Sequence, residues 1–244
     1  MKECSKSIPR RLHDSNFVRK YFVGRGIDIG GYPDPLALYL ELFPLALSIR
    51  TFDRADGDAQ YLEGVSDETY DFVHSSHCLE HLVDPREGIS NWMRVLKPGG
   101  HLVFTVPDED LYEQGEFPST FNSDHKWTFT IFKSASWSDR SINLAELVCE
   151  LGPDSSVERI DRLTETYRFD LPRYDQTLTP ISESAIECVV RKRLPEEVEA
   201  RGRLPGASSI EKRLVPYYNQ YQDDLDSLKS ANHSKPPFGN DSDI

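Results

Sequence analysis

Apolar and polar positions follow two rhythms along this chain, and the switches between them mark out the elements. Residues 26–30, Gly-Ile-Asp-Ile-Gly, form a short apolar run closed by glycine, the pattern of a strand buried in a parallel sheet. Residues 36–42 read as a helix behind Pro33 and Pro35, and residues 48–52 as a second strand ending at Asp53. Residues 70–75 form the next strand. Asp84 and Pro85 open a helix that runs to about Leu96, because aspartate caps the free N–H groups and proline suits the first turn. Lys97-Pro98-Gly99-Gly100 stops that helix, and residues 101–106 form another strand. This alternation predicts an α/β fold: a mostly parallel sheet with helices on both faces.

Residues 107–140 break the rhythm. They carry Tyr112, Phe117, Phe121, Trp127, Phe129, Phe132 and Trp137 among polar residues, and a connection this long predicts a lid or binding loop. A helix over 143–151 closed by Gly152 and two strands, 157–167 and 185–190, complete the domain at 21–194. Residues 1–20, polar and basic, read as an N-terminal arm or helix. Residues 195–244 read as a polar tail, helical around 210–228 and disordered over 231–244.

Charge and composition narrow the function classes. The net charge of −13 repels a phosphate backbone, so no nucleic-acid partner is expected. No apolar run is long enough to span a membrane, and residues 1–11 lack the apolar centre of a secretory signal. Cys4, Cys78, Cys149 and Cys188 stand far apart, which predicts reduced thiols and a cytoplasmic protein.

Three acidic positions carry the candidate chemistry. Asp28-Ile29-Gly30-Gly31-Tyr32 puts a carboxylate at a strand end and glycines before a helix, a turn that lets a nucleoside cofactor approach the backbone. Asp53 ends the second strand, where a carboxylate can accept both ribose hydroxyls. Asp58-Ala59-Gln60 follows after only Arg54-Ala55-Asp56-Gly57, too short an interval for a stable helix.

The stretch from Tyr70 to Pro107 resembles class I, Rossmann-like S-adenosylmethionine-dependent methyltransferases of the type-11 group. It does so through Leu79-Glu80-His81-Leu82 and Arg94-Val95-Leu96-Lys97-Pro98-Gly99-Gly100 at the spacing of that group. The resemblance covers about residues 21–110 and implies S-adenosylmethionine as cofactor. In the first motif only Gly30 matches in register; Tyr32 and Asp34 stand where the group has further glycines. By the same resemblance Asp58-Ala59 corresponds to the pair that takes the adenine amino group, and the short Asp53–Asp58 interval implies either a shortened connection from second to third strand, with its helix missing, or that one of the two aspartates has another role. The resemblance also implies that Ser75, Ser76 and His77 border the cofactor's methionine part. The cofactor-binding expectation thus comprises Asp28, Gly30, Gly31, Tyr32, Asp53, Arg54, Asp58, Ala59, Gln60, Ser75, Ser76 and His77.

His77-Cys78-Leu79-Glu80-His81 also matches the H-x-x-E-H pattern of some zinc peptidases. It follows a strand and precedes Asp84-Pro85 within the methyltransferase resemblance, so no metal is expected; His77 is expected in the pocket wall and His81 as a packed residue. In the aromatic insertion, Asp124-His125-Lys126-Trp127 supplies a histidine suited to take a proton from an attacking hydroxyl, with Asp124 as the alternative and His77 as a catalytic neighbour. The expected function is methyl transfer to a hydroxyl of a small molecule or carbohydrate. The alternatives are a non-catalytic cofactor-binding module and a nicotinamide-dependent oxidoreductase on a similar fold.

Overall fold

The computed structural model describes residues 3–204; the expectations for 210–228 and 231–244 lie outside the described residues. The polar N-terminal stretch is helical. α1 (Glu3–His13) and α2 (Ser15–Tyr21) are separated by Asp14, whose carboxylate accepts from the Phe17 amide at 3.0 Å. They present Cys4, Ile8, Phe17, Val18 and Tyr21 to the core. Arg10 then binds Glu183 and Glu187, each at 2.8 Å, so a basic residue of α1 anchors it to the strand at Ala185–Lys192 and the residues just before it.

β1 (Gly24–Ile29) leads to a 3-10 stretch, Leu36–Leu42, in place of the expected α-helix. The segment is boxed between Pro35 and Pro44 and leaves Leu38 exposed, so neither length nor burial supports an α-helix there. β2 (Ala46–Phe52) follows, and residues 53–69 then reach β3 (Tyr70–Ser76) through turns alone, with no helix. Side chains of the next helix hold this bare connection. Trp92 Nε1 donates to the Ala59 carbonyl at 2.8 Å, Asn91 to that of Gln60 at 3.0 Å, and Arg94 to that of Val65 at 2.9 Å.

That helix, α3 (Pro85–Arg94), is capped by Asp84, which accepts from the Arg86 amide at 2.9 Å. It ends at Arg94, earlier than the sequence predicts. Lys97-Pro98-Gly99-Gly100 lies instead within β4 (Leu96–Pro107), as a bulge where pairing jumps from Tyr70↔Leu96 to Phe72↔His101. β5 (Thr128–Thr130), inside the aromatic insertion, pairs in parallel with β6 (Ser141–Asn143) just beyond it, as a separate two-stranded sheet. α4 (Leu144–Cys149), β7 (Ser155–Leu163), β8 (Ala185–Lys192) and α5 (Pro195–Glu199) complete the described chain.

The main sheet has the order β2-β1-β3-β4-β8-β7. Only β8 runs against the others. Alternate residues of the central strands serve opposite faces, as the period of a strand requires. Val73, Leu102, Phe104, Cys188 and Val190 pack with Ile89, Trp92 and Met93 of α3 and Leu144, Leu147 and Val148 of α4. Phe72, Val103 and Val189 pack with α1 and α2. The strand order reverses direction between β1 and β3, and a crevice opens there beyond the carboxyl ends of the strands.

Candidate active site

Three turns at the strand ends build the crevice. After β1, Gly30 takes a positive φ of 73°, open to glycine, and the chain doubles back. Asp28 sets this turn: one carboxylate oxygen accepts from the Leu36 amide at 2.7 Å and the other lies 2.6 Å from His74 Nδ1. It is fully buried and does not reach the cavity. After β2, Asp53 accepts from the Tyr32 amide at 3.0 Å and the Arg54 amide at 2.7 Å, tying the first two turns together. After β3, His77 adopts a left-handed backbone with φ 54°, a strained conformation of the kind concentrated at functional sites.

The cavity they enclose holds about 610 Å³, within the range of small-molecule sites. Gly30, Gly31 and Tyr32 form one wall, Asp53, Arg54, Asp58 and Ala59 a second, and Ser76 and His77 a third. Asp124 and His125 close it from the insertion. Three expected residues lie elsewhere. Asp28 is spent on the turn. Ser75 donates to the Ile29 carbonyl at 3.0 Å, tying β3 to β1. Gln60 bridges Glu87 at 2.6 Å and the Asp84 amide at 2.9 Å, holding the start of α3.

The cavity also takes residues that the sequence did not single out for it. Glu3 and Cys4 come from α1, Thr177 from the segment before β8, and Tyr112 and Asn122 from the insertion. No sequence signal marks Glu3 or Thr177. Glu80 stood in the sequence as a motif letter and His81 was expected as a packed residue; here both line the cavity, His81 partly exposed.

The insertion is fastened down rather than loose. The Lys126 amide donates to the Glu80 carbonyl at 2.9 Å and Trp127 Nε1 to the Leu82 carbonyl at 3.1 Å. The buried carboxylate of Glu109 gathers Lys133 at 2.7 Å, Ser136 at 2.8 Å and Thr128 at 3.1 Å. His125 is thereby brought beside Glu80. Its Nδ1 lies 2.7 Å from Glu113 Oε1 and its Nε2 3.9 Å from Glu80 Oε1. Burial works against charging the His125 ring, but the bond to Glu113 and the charge of Glu80 outweigh it and raise its pKa above the ordinary imidazole value. His77 behaves oppositely: burial pushes its pKa down to about 4, despite the opposing charge of Glu80.

These residues suit S-adenosylmethionine. Gly30 and Gly31 let the turn pack against itself: a Cβ at Gly30 would meet Cys78 Sγ at 2.7 Å, and one at Gly31 would press on the Asp28 carboxylate and Pro35. Asp53, Asp58, Glu80 and Asp124 put four carboxylates on the cavity, a lining that suits a ligand carrying sulfonium and ammonium charges. Glu80 is fully buried with both oxygens lacking a donor among the described residues, as an acceptor awaiting a ligand would be.

A sheet with this order, a glycine turn after its first strand and an acidic cavity at its switch point fit a methyltransferase that uses S-adenosylmethionine. The chain belongs to the methyltransferase domain family, whose profile matches residues 3–191. Similar solved structures include a SAM-dependent methyltransferase from Archaeoglobus fulgidus, at 16% identity over 78% of this chain and 94% of that one, with a TM-score of 0.46. Another is a SAM-dependent methyltransferase from Aquifex aeolicus, at 13% identity over 76% of this chain and 95% of that one, with a TM-score of 0.44. No curated protein shows significant similarity to the chain. No helix among the described residues is long and apolar enough to cross a membrane.

Proposed function

We propose that the chain methylates a hydroxyl group of a small molecule or sugar. The carrying observation is the placement of His125 on the cavity wall, with Nδ1 held by Glu113 at 2.7 Å and Nε2 directed at Glu80. Bound S-adenosylmethionine supplies a methyl group that is already electrophilic. The chain's own residues must then hold the acceptor in line, exclude water and receive a proton. Asp53, Asp58 and Ala59 are the candidates for the nucleoside part, and Ser76 and His77 for the methionine part. Positioning alone supplies up to ~7–11 kcal/mol.

The proton acceptor in this reading is the His125 imidazole, backed by Glu113. A neutral hydroxyl attacks poorly until its proton has a destination, and two nearby carboxylates raise the proton affinity of this ring. His77 is a weaker candidate, because burial depresses its basicity. Asp124 is more than half exposed at its side chain and stands at the mouth beside Arg54 at 3.5 Å. The insertion at 107–140 then acts as the acceptor-side wall; of its aromatic residues Tyr112 reaches the cavity and favours a partly apolar acceptor, while Phe129 is spent on the core.

The test is turnover with panels of sugars, phenols and amines, with the product located by mass spectrometry. Methyl ethers are the expected products. His125→Ala should lower kcat by ~10²-fold or more and leave S-adenosylhomocysteine affinity nearly intact. Methylation of amines alone, or unchanged turnover in the variant, would sink the reading.

A further inference from the structure

Glu80 is fully buried, and neither of its carboxylate oxygens meets a hydrogen-bond donor among the described residues. A buried carboxylate in that state is strongly unfavourable unless something positive reaches it. Two imidazoles face it. His81 Nε2 lies 3.8 Å and His125 Nε2 3.9 Å from the same oxygen, Oε1. Both separations are too long for hydrogen bonds. They suit donors that share an ion held ~2.0–2.2 Å from each. The ligand atoms of the three residues all lie within 4.8 Å of one another.

The far side of each ring supports the same arrangement. His81 Nδ1 lies 3.1 Å from the Asp124 backbone oxygen and 3.3 Å from its carboxylate. His125 Nδ1 lies 2.7 Å from Glu113 Oε1. With each Nδ1–H donated to an oxygen, each Nε2 presents its lone pair toward Glu80. Metal-binding histidines are oriented by outer carboxylates and carbonyls in this way.

We propose that Glu80, His81 and His125 bind one divalent first-row transition-metal ion on the cavity wall, with coordination positions left open toward the cavity. Two imidazoles and one carboxylate suit zinc, iron or manganese better than magnesium or calcium, which prefer all-oxygen sites. Three protein ligands leave room for an oxygen of a bound hydroxyl compound. The H-x-x-E-H pattern in the sequence pointed at His77 and His81. The fold separates their roles by putting His77 in a left-handed turn, and supplies His125 from the insertion instead. The other close group, Cys4 with Asp28 and His74, carries no site, because Asp28 already serves the Leu36 amide and His74.

The inference goes beyond the methyl-transfer reading and does not need an acceptor. A bound ion would take His125 Nε2 as a ligand, so this ring could not then accept the acceptor's proton, and the ion would instead polarise the hydroxyl; in this one role the inference replaces the base reading. His125→Ala therefore lowers turnover in either case, and only metal binding separates the two. Untagged, chelator-treated full-length protein titrated with Co²⁺, followed by visible absorption and calorimetry, is the test. One saturable equivalent is expected in the wild type. Affinity should fall at least tenfold in Glu80→Gln and His81→Gln, and by ~10–100-fold in Glu113→Gln, which removes only an outer partner. His81 is partly exposed, so its variant decides the matter if a buried variant fails to fold. No saturable binding by the wild type would overturn the proposal, as would equal binding by wild type and every folded variant. Titration of the same metal-free protein with S-adenosylhomocysteine tests the cofactor separately, and binding there is expected whatever Co²⁺ does.

Discussion

Gly30→Ala probes the turn on which the cofactor cavity depends. An alanine Cβ at this position would lie 2.7 Å from Cys78 Sγ and 2.8 Å from Cys78 Cβ, closer than real contacts allow. The residue also holds φ at 73°, which costs a non-glycine residue about 1–2 kcal/mol. Overpacking adds about 1–3 kcal/mol. Reduced freedom of the unfolded chain returns about 0.4–1 kcal/mol. The net loss should be about 1–5 kcal/mol, or about 2–20 °C in Tm for a domain of this size. Urea denaturation followed by circular dichroism measures it, and calorimetry with S-adenosylhomocysteine reads the cavity. The contact term can be isolated, because Cys78→Gly removes both clashing atoms. In a double-mutant cycle the Gly30→Ala penalty should shrink by about 1–3 kcal/mol in the Cys78→Gly background, leaving the backbone term. A Gly30→Ala variant within about 0.5 kcal/mol of wild type would refute the reasoning, since ordinary surface changes fall in that range. A strictly additive cycle would refute the packing half of it.

Further expectations follow from single residues. Asp53→Ala should weaken S-adenosylhomocysteine binding by about 1–3 kcal/mol, roughly 5–150-fold in Kd, since it removes a charged acceptor and unties the Tyr32 amide; unchanged affinity in calorimetry would reassign the ribose contact. His101 lies against Tyr21, 4.0 Å from Glu158, and burial pushes its pKa down to about 4. The unfolded chain therefore takes up a proton below about pH 6.5 that the folded one refuses, and stability should fall by on the order of 3 kcal/mol as pH drops from about 6.5 to 4. Replacing His101 by Gln should remove its share of that slope, His77 being held down to about the same pKa, and a curve of unchanged slope would remove His101 as a contributor.

The local sequence determined the elements whose causes are local. The Asp84-Pro85 cap starts α3 where it was expected, because an N-cap acts on its own next few amides. The apolar run at 26–30 marks β1, since a strand buried on both faces needs apolar residues throughout. The short interval from Asp53 to Asp58 ruled out a helix by length alone, and the turns at 53–69 bear this out. Boundaries were less legible where tertiary pairing competes with local preference. Lys97 to Gly100 has the letters of a helix stop, yet β3 draws it into a strand bulge.

The tertiary structure alone decided what the acidic residues do. Asp28 and Asp53 look alike in sequence, each at the end of a strand. One is buried under its own turn against His74, and the other lines the cavity, because only the packed sheet determines which way each carboxylate faces. The same holds for Glu80. It sits in the most recognisable motif of the chain, yet its meaning depends on His125, which the insertion after β4 folds back beside it. Local spacing fixes backbone geometry over a few residues, whereas a site assembled from several loops exists only once long-range contacts bring those loops together.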